Sequence, residues 1–151
     1  MEDVELSISL SAEWHNVAPS YKLYVDDILI GQGKVTELKS NKETLTIDWT
    51  GQLAEGDHLI RLQMFDKTIN ETIVDHETNK ILKDQLIYID DICLDQIDLG
   101  YLCFKLGRFY PNKSIRPDLD DVIPNLTCIG FNGEWQLKFT VPTYLWLLEH
   151  F

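Results

Sequence analysis

The sequence predicts an all-β chain: a single β-sandwich, jelly-roll-like, that takes in residues 1–151 as one domain, with at most one short helical segment at its C-terminal end. Three observations predict it. Apolar and polar residues alternate with a period of two over several short segments, the spacing at which successive side chains point to opposite faces of a sheet. Turn residues such as Asp26-Asp27, Gly51, Gly56-Asp57 and Asn132-Gly133 fall between those segments. No stretch shows the apolar spacing of an amphipathic helix, and roughly eight or nine short strands without helices are the pattern of a sandwich.

Along the chain, Val4, Leu6, Ile8 and Leu10 share one parity and Glu5, Ser7, Ser9 and Ser11 the other, a half-buried strand. Tyr21 to Gly31 holds two β-rich runs around Asp26-Asp27 and reads as a hairpin. Leu45, Ile47 and Trp49 alternate with threonines and Asp48 up to Gly51, and HLIRLQMF carries Ile60, Leu62 and Met64 on one face. Residues 66–84 are polar with scattered isoleucines, a long loop of the kind that carries function. Tyr101 to Phe104 reads as a short strand. Residues 107–124 contain three of the five prolines and are expected to wrap the surface outside any ladder. Asn132-Gly133, between LTCIG and EWQLKFTV, predicts a hairpin, and Tyr144 to Phe151 one or two helical turns.

The segment Asp84 to Leu99 threads five aspartates through strand-like apolar residues. An ionised carboxylate buried without a partner is costly, so each needs solvent, a donor or a cation. Apolar residues occupy both parities, which predicts a strand lying between layers. Asp90-Asp91 marks a bulge or bend, Asp95 and Asp98 mark emergence toward solvent, and Asp84 sits at the mouth of the long loop, open to an ion.

With 13 Lys and Arg against 25 Asp and Glu, the net charge is −12. A field of that sign repels phosphates, which excludes nucleic acid and anionic membrane surfaces as partners. Cysteines 93, 103 and 128 form no zinc or redox spacing, and Cys93 and Cys128 read as core residues. The N-terminus lacks a signal-peptide pattern and no apolar run reaches membrane-spanning length, so a soluble, unsecreted chain is expected.

Catalytic patterns are missing. The four histidines are scattered, with no nucleophile elbow and no phosphate loop. Two carboxylates suffice for glycoside hydrolysis, but no spacing singles out a pair. Hard-oxygen metal ligation is the better candidate: Asp66 and Asp84 bracket the long loop and come together as calcium ligands if the flanking strands pair. Two other acidic groups, Asp75-Glu77-Asn79 and Asp118-Asp120-Asp121, offer oxygens, although Lys80 and Leu86 break the EF-hand pattern in the first. Among the aromatic residues, Trp14, Phe109 and Tyr110 lie in stretches read as loops and are the candidates to stack on a sugar, whose apolar face suits a flat ring.

Two resemblances follow from particular residues. Gly56 to Lys67 (GDHLIRLQMFDK) and Lys83 to Asp95 (KDQLIYIDDICLD) resemble the paired strands of calcium-dependent xylan-binding carbohydrate-binding modules. That resemblance implies a β-sandwich whose loop carboxylates hold calcium against sugar hydroxyls, with Asp66 and Asp84 as the ligands. Asp66-Lys67 stands where that family carries Asn-Asp. Phe131 to Phe151 is similar to the ending of small uncharacterised proteins of tailed bacteriophages, which implies a virion accessory protein with other virion proteins as partners. The combined expectation is a non-enzymatic binding module, first a virion decoration or tail-associated protein able to bind surface glycans, with homo-oligomerisation. The alternatives are a calcium-dependent carbohydrate-binding module and a small glycan-active enzyme.

Overall fold

A computed structural model describes residues 1–151. Strands β1 (Glu2–Glu13), β4 (Leu45–Leu53), β8 (Leu86–Leu94), β9 (Ile97–Asp98) and β12 (Cys128–Ile129) form one sheet. Its order is β12-β8-β1-β4, with β9 beside β8. Strands β2 (Ser20–Val25), β3 (Ile28–Lys34), β5 (Gly56–Phe65), β10 (Arg108–Pro111), β11 (Ile123–Pro124) and β13 (Gly133–Val141) form the other, in the order β11-β10-β13-β5-β2-β3. The ladders are antiparallel, and the two sheets close on one apolar core as an all-β sandwich. A separate hairpin, β6 (Ile73–Asp75) and β7 (Lys80–Lys83), projects from the loop after β5.

The predicted alternation becomes the core directly. Val4, Leu6, Ile8 and Leu10 of β1 join Ile60, Leu62 and Met64 of β5 and Trp135, Leu137 and Phe139 of β13, all buried. Each fully buried side chain of this size stabilises the fold by roughly 1.5–3 kcal/mol relative to exposure.

The aspartate-rich strand corrects one expectation and supports another. In β8 the register against β1 runs Ser9↔Asp91 and then Leu10↔Ile89, so Asp90 is the extra residue of a bulge. A one-residue insertion moves every following side chain to the other face. Ile87 and Ile89 are buried before the bulge and Ile92 and Leu94 after it. The two apolar parities therefore belong to one buried face. Asp90 reaches Lys39 Nζ at 2.9 Å. Asp95, in the β8–β9 turn at φ 50, does not simply emerge into solvent. Its Oδ1 accepts the Glu5 amide at 2.8 Å and its Oδ2 accepts the Thr143 hydroxyl.

Other expectations are revised by contacts distant in sequence. The YLCF segment opens a helix, with Tyr101 as the N-cap of α1 (Leu102–Leu106), which with α2 (Thr143–His150) makes two short helices where at most one was expected. A run this short carries no periodicity that separates helix from strand. The polar loop builds the β6–β7 hairpin. Part of the proline-containing stretch does join a ladder, since β10 pairs with β13, leaving residues 112–122 as the irregular strap. Asn132-Gly133 is not a hairpin turn, because β12 pairs with β8 in one sheet while β13 runs in the other. The most buried cysteine is Cys103, its thiol pushed up to about 11 by burial, while Cys93 and Cys128 are half-buried.

One ion pair ties two turns together. Asp26, at φ 54, turns β2 into β3; its Oδ1 accepts the Leu59 amide at 2.9 Å and its Oδ2 lies 2.7 Å from His58 Nδ1. His58 Nε2 lies 2.7 Å from the Ala54 carbonyl, which can only accept, so both ring nitrogens face acceptors. Burial alone lowers the His58 pKa, but the Ala54 carbonyl and the Asp26 carboxylate outweigh it, and the net shift is upward. A raised pKa gives stability that is fully present below the unfolded histidine value of about 6.5 and lost as pH rises through the higher folded value. Paired denaturation curves of the wild type and His58→Gln are expected to differ most at acid pH and converge as pH climbs past neutrality. A pH-independent difference would sink this account.

Candidate binding site

The strand ends of the second sheet, the β6–β7 arm and the strap at residues 112–122 enclose a groove of two joined compartments. The upper one, about 630 Å³, lies under the arm and is lined by Lys67, Thr72, Asp84, Ile115, Arg116 and Phe131 among others. The lower one, about 540 Å³, opens over the outer face of the sheet beside Gln63, Asp66, Tyr110, Asn112 and Glu134. Ile115 and Asn132 line both.

Local chemistry fixes each wall. Asp66, in the left-handed region at φ 67, ends β5 and starts the arm. The Asn132 side chain then clamps the next residue, its Oδ1 accepting the Lys67 amide and its Nδ2 donating to the Lys67 carbonyl, both at 2.9 Å. The strap is pinned by Asn112, whose amide donates to the Asn132 carbonyl at 2.9 Å and whose Oδ1 accepts from Ser114. Arg116 makes a two-pronged pair with Asp118 at 2.9 and 2.8 Å, which holds that carboxyl at about 2. The same guanidinium lies 4.9 Å from the Phe131 ring centroid.

At the lower floor, Tyr110 of β10 stands directly across from Glu134 of β13. Burial alone would raise the Glu134 pKa, but Arg61, Gln136 and Gln63 donate to the carboxylate and hold it below the ordinary range. Arg61 Nη2 is 2.9 Å away and Gln63 Nε2 3.0 Å. A general acid in glycoside hydrolysis needs the opposite shift, so Glu134 is built as a fixed acceptor.

The predicted site residues divide. Tyr110 (39% exposed), Asp66 and Asp84 all line the groove. Phe109 is completely buried, because once Arg108–Pro111 is a strand the alternation sends Phe109 inward and Tyr110 outward; it cannot stack on a ligand. Trp14 does not line the groove; it packs against the core and its Nε1 donates to the Thr36 carbonyl at 3.1 Å. Sequence reasoning missed Phe131, Arg116, Asn132 and Glu134. Phe131 had a signal, an aromatic residue abutting Asn132-Gly133, whereas the Arg116–Phe131 contact comes from chain folding alone.

Calcium, which the resemblance implies, does not fit the residues present. Asp66 and Asp84 line different compartments, and no group of three or more His, Cys, Asp or Glu side chains gathers as a metal centre. Asp84 Oδ1 already accepts from Lys67 Nζ at 2.7 Å, Thr72 Oγ1 at 2.8 Å and the Gln85 amide at 2.8 Å. That oxygen is filled by three protein donors.

No protein-family profile and no curated protein sequence matches this chain. Among solved structures, it is similar to vCBM60 in complex with galactobiose, with a TM-score of 0.52 and 11% identity over 88% of this chain and 96% of that one. The selenomethionine form of vCBM60 gives the same TM-score and identity, over 89% of each chain. That form comes from work on circular permutation linking two families of calcium-dependent carbohydrate binding modules. At this identity the likeness establishes the sandwich fold shared with carbohydrate-binding modules. No helix of the chain is long and apolar enough to cross a membrane.

Proposed function

We propose that the chain is a non-catalytic module, one domain over residues 1–151, that binds a glycan in the groove between Phe131 and Tyr110. The observation that carries this reading is the groove itself: the exposed Tyr110 ring and the half-buried Phe131 ring beside the fixed polar groups of Asn132, Glu134, Gln63 and Arg116. Sugar recognition uses this combination, a flat apolar face under the ring and a few aimed donors and acceptors around its hydroxyls. The sandwich fold shared with a galactobiose-binding module supports it. A net charge of −12 favours neutral glycans over anionic ones.

Affinity electrophoresis against a panel of neutral and anionic polysaccharides tests the reading. Retention on at least one neutral polymer is expected, weakened roughly tenfold or more by Tyr110→Ala or Phe131→Ala, since loss of about 1.4 kcal/mol of stacking is a factor of ten. Unchanged retention in both variants, or retention on none of the panel, would overturn it.

A second reading, assembly into a virion with other virion proteins or with further copies of the chain, draws on α2. Its Tyr144 (58%), Leu148 (72%) and the following Phe151 (69%) are exposed, an apolar end suited to a protein contact. Sedimentation as a monomer at high concentration, together with no affinity for virions, argues against that role and leaves the glycan reading untouched.

A further inference from the structure

We propose that the ammonium of Lys67 takes the place of a bound cation in an oxygen-lined cradle, and that removing its charge opens the cradle to calcium. Lys67 is the one lysine among the ion pairs that is withdrawn from solvent: its side chain is 9% exposed, against 54%, 40% and 65% for Lys39, Lys113 and Lys138. Its backbone is clamped on both sides by Asn132, so the side chain is aimed inward by construction.

The groups that receive it are those a hard divalent cation prefers. Nζ lies 2.7 Å from Asp84 Oδ1 and 2.5 Å from the Gly130 carbonyl oxygen, and the Thr72 hydroxyl converges on the same carboxylate oxygen. A carboxylate, a peptide carbonyl and a hydroxyl are calcium donors, with water completing the shell. The ammonium supplies one positive charge to this cradle from within the chain, and that charge cannot dissociate. Metal-independent glycan retention follows only if the reading of the groove given above is correct; the cradle itself stands on the Lys67 geometry.

Thermal denaturation of the purified chain in calcium and in chelator tests the cradle with the metal alone. The wild type is expected to melt at the same temperature in both. Lys67→Ala is expected to melt lower than the wild type in chelator and to gain about 3 to 6 °C at a calcium concentration tenfold above its Kd, with a smaller gain in magnesium, which sheds water reluctantly. Lys67→Gln, which is shorter and uncharged but keeps a polar end, gives the same readout should the alanine variant fail to fold. Adding Asp84→Asn to whichever variant folds is expected to erase the gain. A calcium shift in the wild type, no shift in either Lys67 variant, or a gain that survives Asp84→Asn each overturns the proposal. Because the readout involves no sugar, its failure is distinguishable from failure of the glycan reading, which polysaccharide retention in chelator measures separately.

Discussion

Asp84→Ala is expected to cost about 3–5 kcal/mol of folding stability, measured as a fall in the urea midpoint with little change in slope. The magnitude follows from burial on both sides of the pair. Lys67 and Asp84 side chains are 9% and 13% exposed, so removing the carboxylate strands an ammonium where water reaches it poorly. The damage extends beyond one charge. The Thr72 hydroxyl and the Gln85 amide lose their acceptor as well, and these are the bonds that close the base of the β6–β7 arm. Hydrogen exchange across residues 66–84 should therefore accelerate more than exchange in β1 or β5, which carry none of the pair's side-chain hydrogen bonds. The Lys138–Asp57 pair gives the contrast, because both its side chains are mostly exposed, at 65% and 61%. Removing Asp57 should change stability by no more than about 1 kcal/mol. Equal effects at the two sites would mean that the arm is not anchored through Asp84.

The parts of the fold legible in the sequence are those set by local periodicity. The parts that were not are set by partners far along the chain. Val4 to Leu10 and Ile60 to Met64 alternate cleanly, and each became a strand with its apolar parity inward. In β8 the same rule misleads, because a bulge at Asp90 reverses parity halfway and makes a one-faced strand look two-faced. The Asp90-Asp91 pair was the visible trace of that bulge. Asn132-Gly133 carries a sound turn signal, but whether a turn makes a hairpin or a crossover depends on what the preceding strand pairs with. Here β12 is two residues long and belongs to β8.

At the groove, the sequence exposed the individual chemistries and hid their grouping. Asp66, Asp84 and Tyr110 stand out as carboxylates or an aromatic ring beside irregular chain. Nothing in their spacing says that Lys67 fills the Asp84 carboxylate or that the strap lays Arg116 over Phe131. Lys67, where the resemblance to the carbohydrate modules implies a different residue, is the one sequence signal that bears on the cation, and in the structure its ammonium lies 2.7 Å from Asp84.

The largest single loss in the core is expected at Trp135. Its indole is 1% exposed at the middle of the second sheet, directly across from Phe109 on one side and Leu62 on the other. A β-carbon built on Gly107 would come within 2.5 Å of the indole Cζ2, so the surrounding chain is shaped to that ring. Truncating a buried tryptophan to alanine costs about 3–5 kcal/mol, through lost transfer energy and the cavity left behind, which for a chain of this length lowers the melting temperature by roughly 6–20 °C. Trp135→Phe, which refills most of the volume, should recover more than half of that loss.

The consequence for binding comes from alternation. Trp135 and Phe109 point inward, and their sequence neighbours Glu134 and Tyr110 point outward as the paired floor of the groove. A cavity beneath β10 and β13 loosens the two strands that hold that floor, so glycan retention by Trp135→Ala should weaken even well below its melting temperature and return with Trp135→Phe. Full retention in Trp135→Ala, measured where the variant is folded, would show that the groove does not depend on this packing.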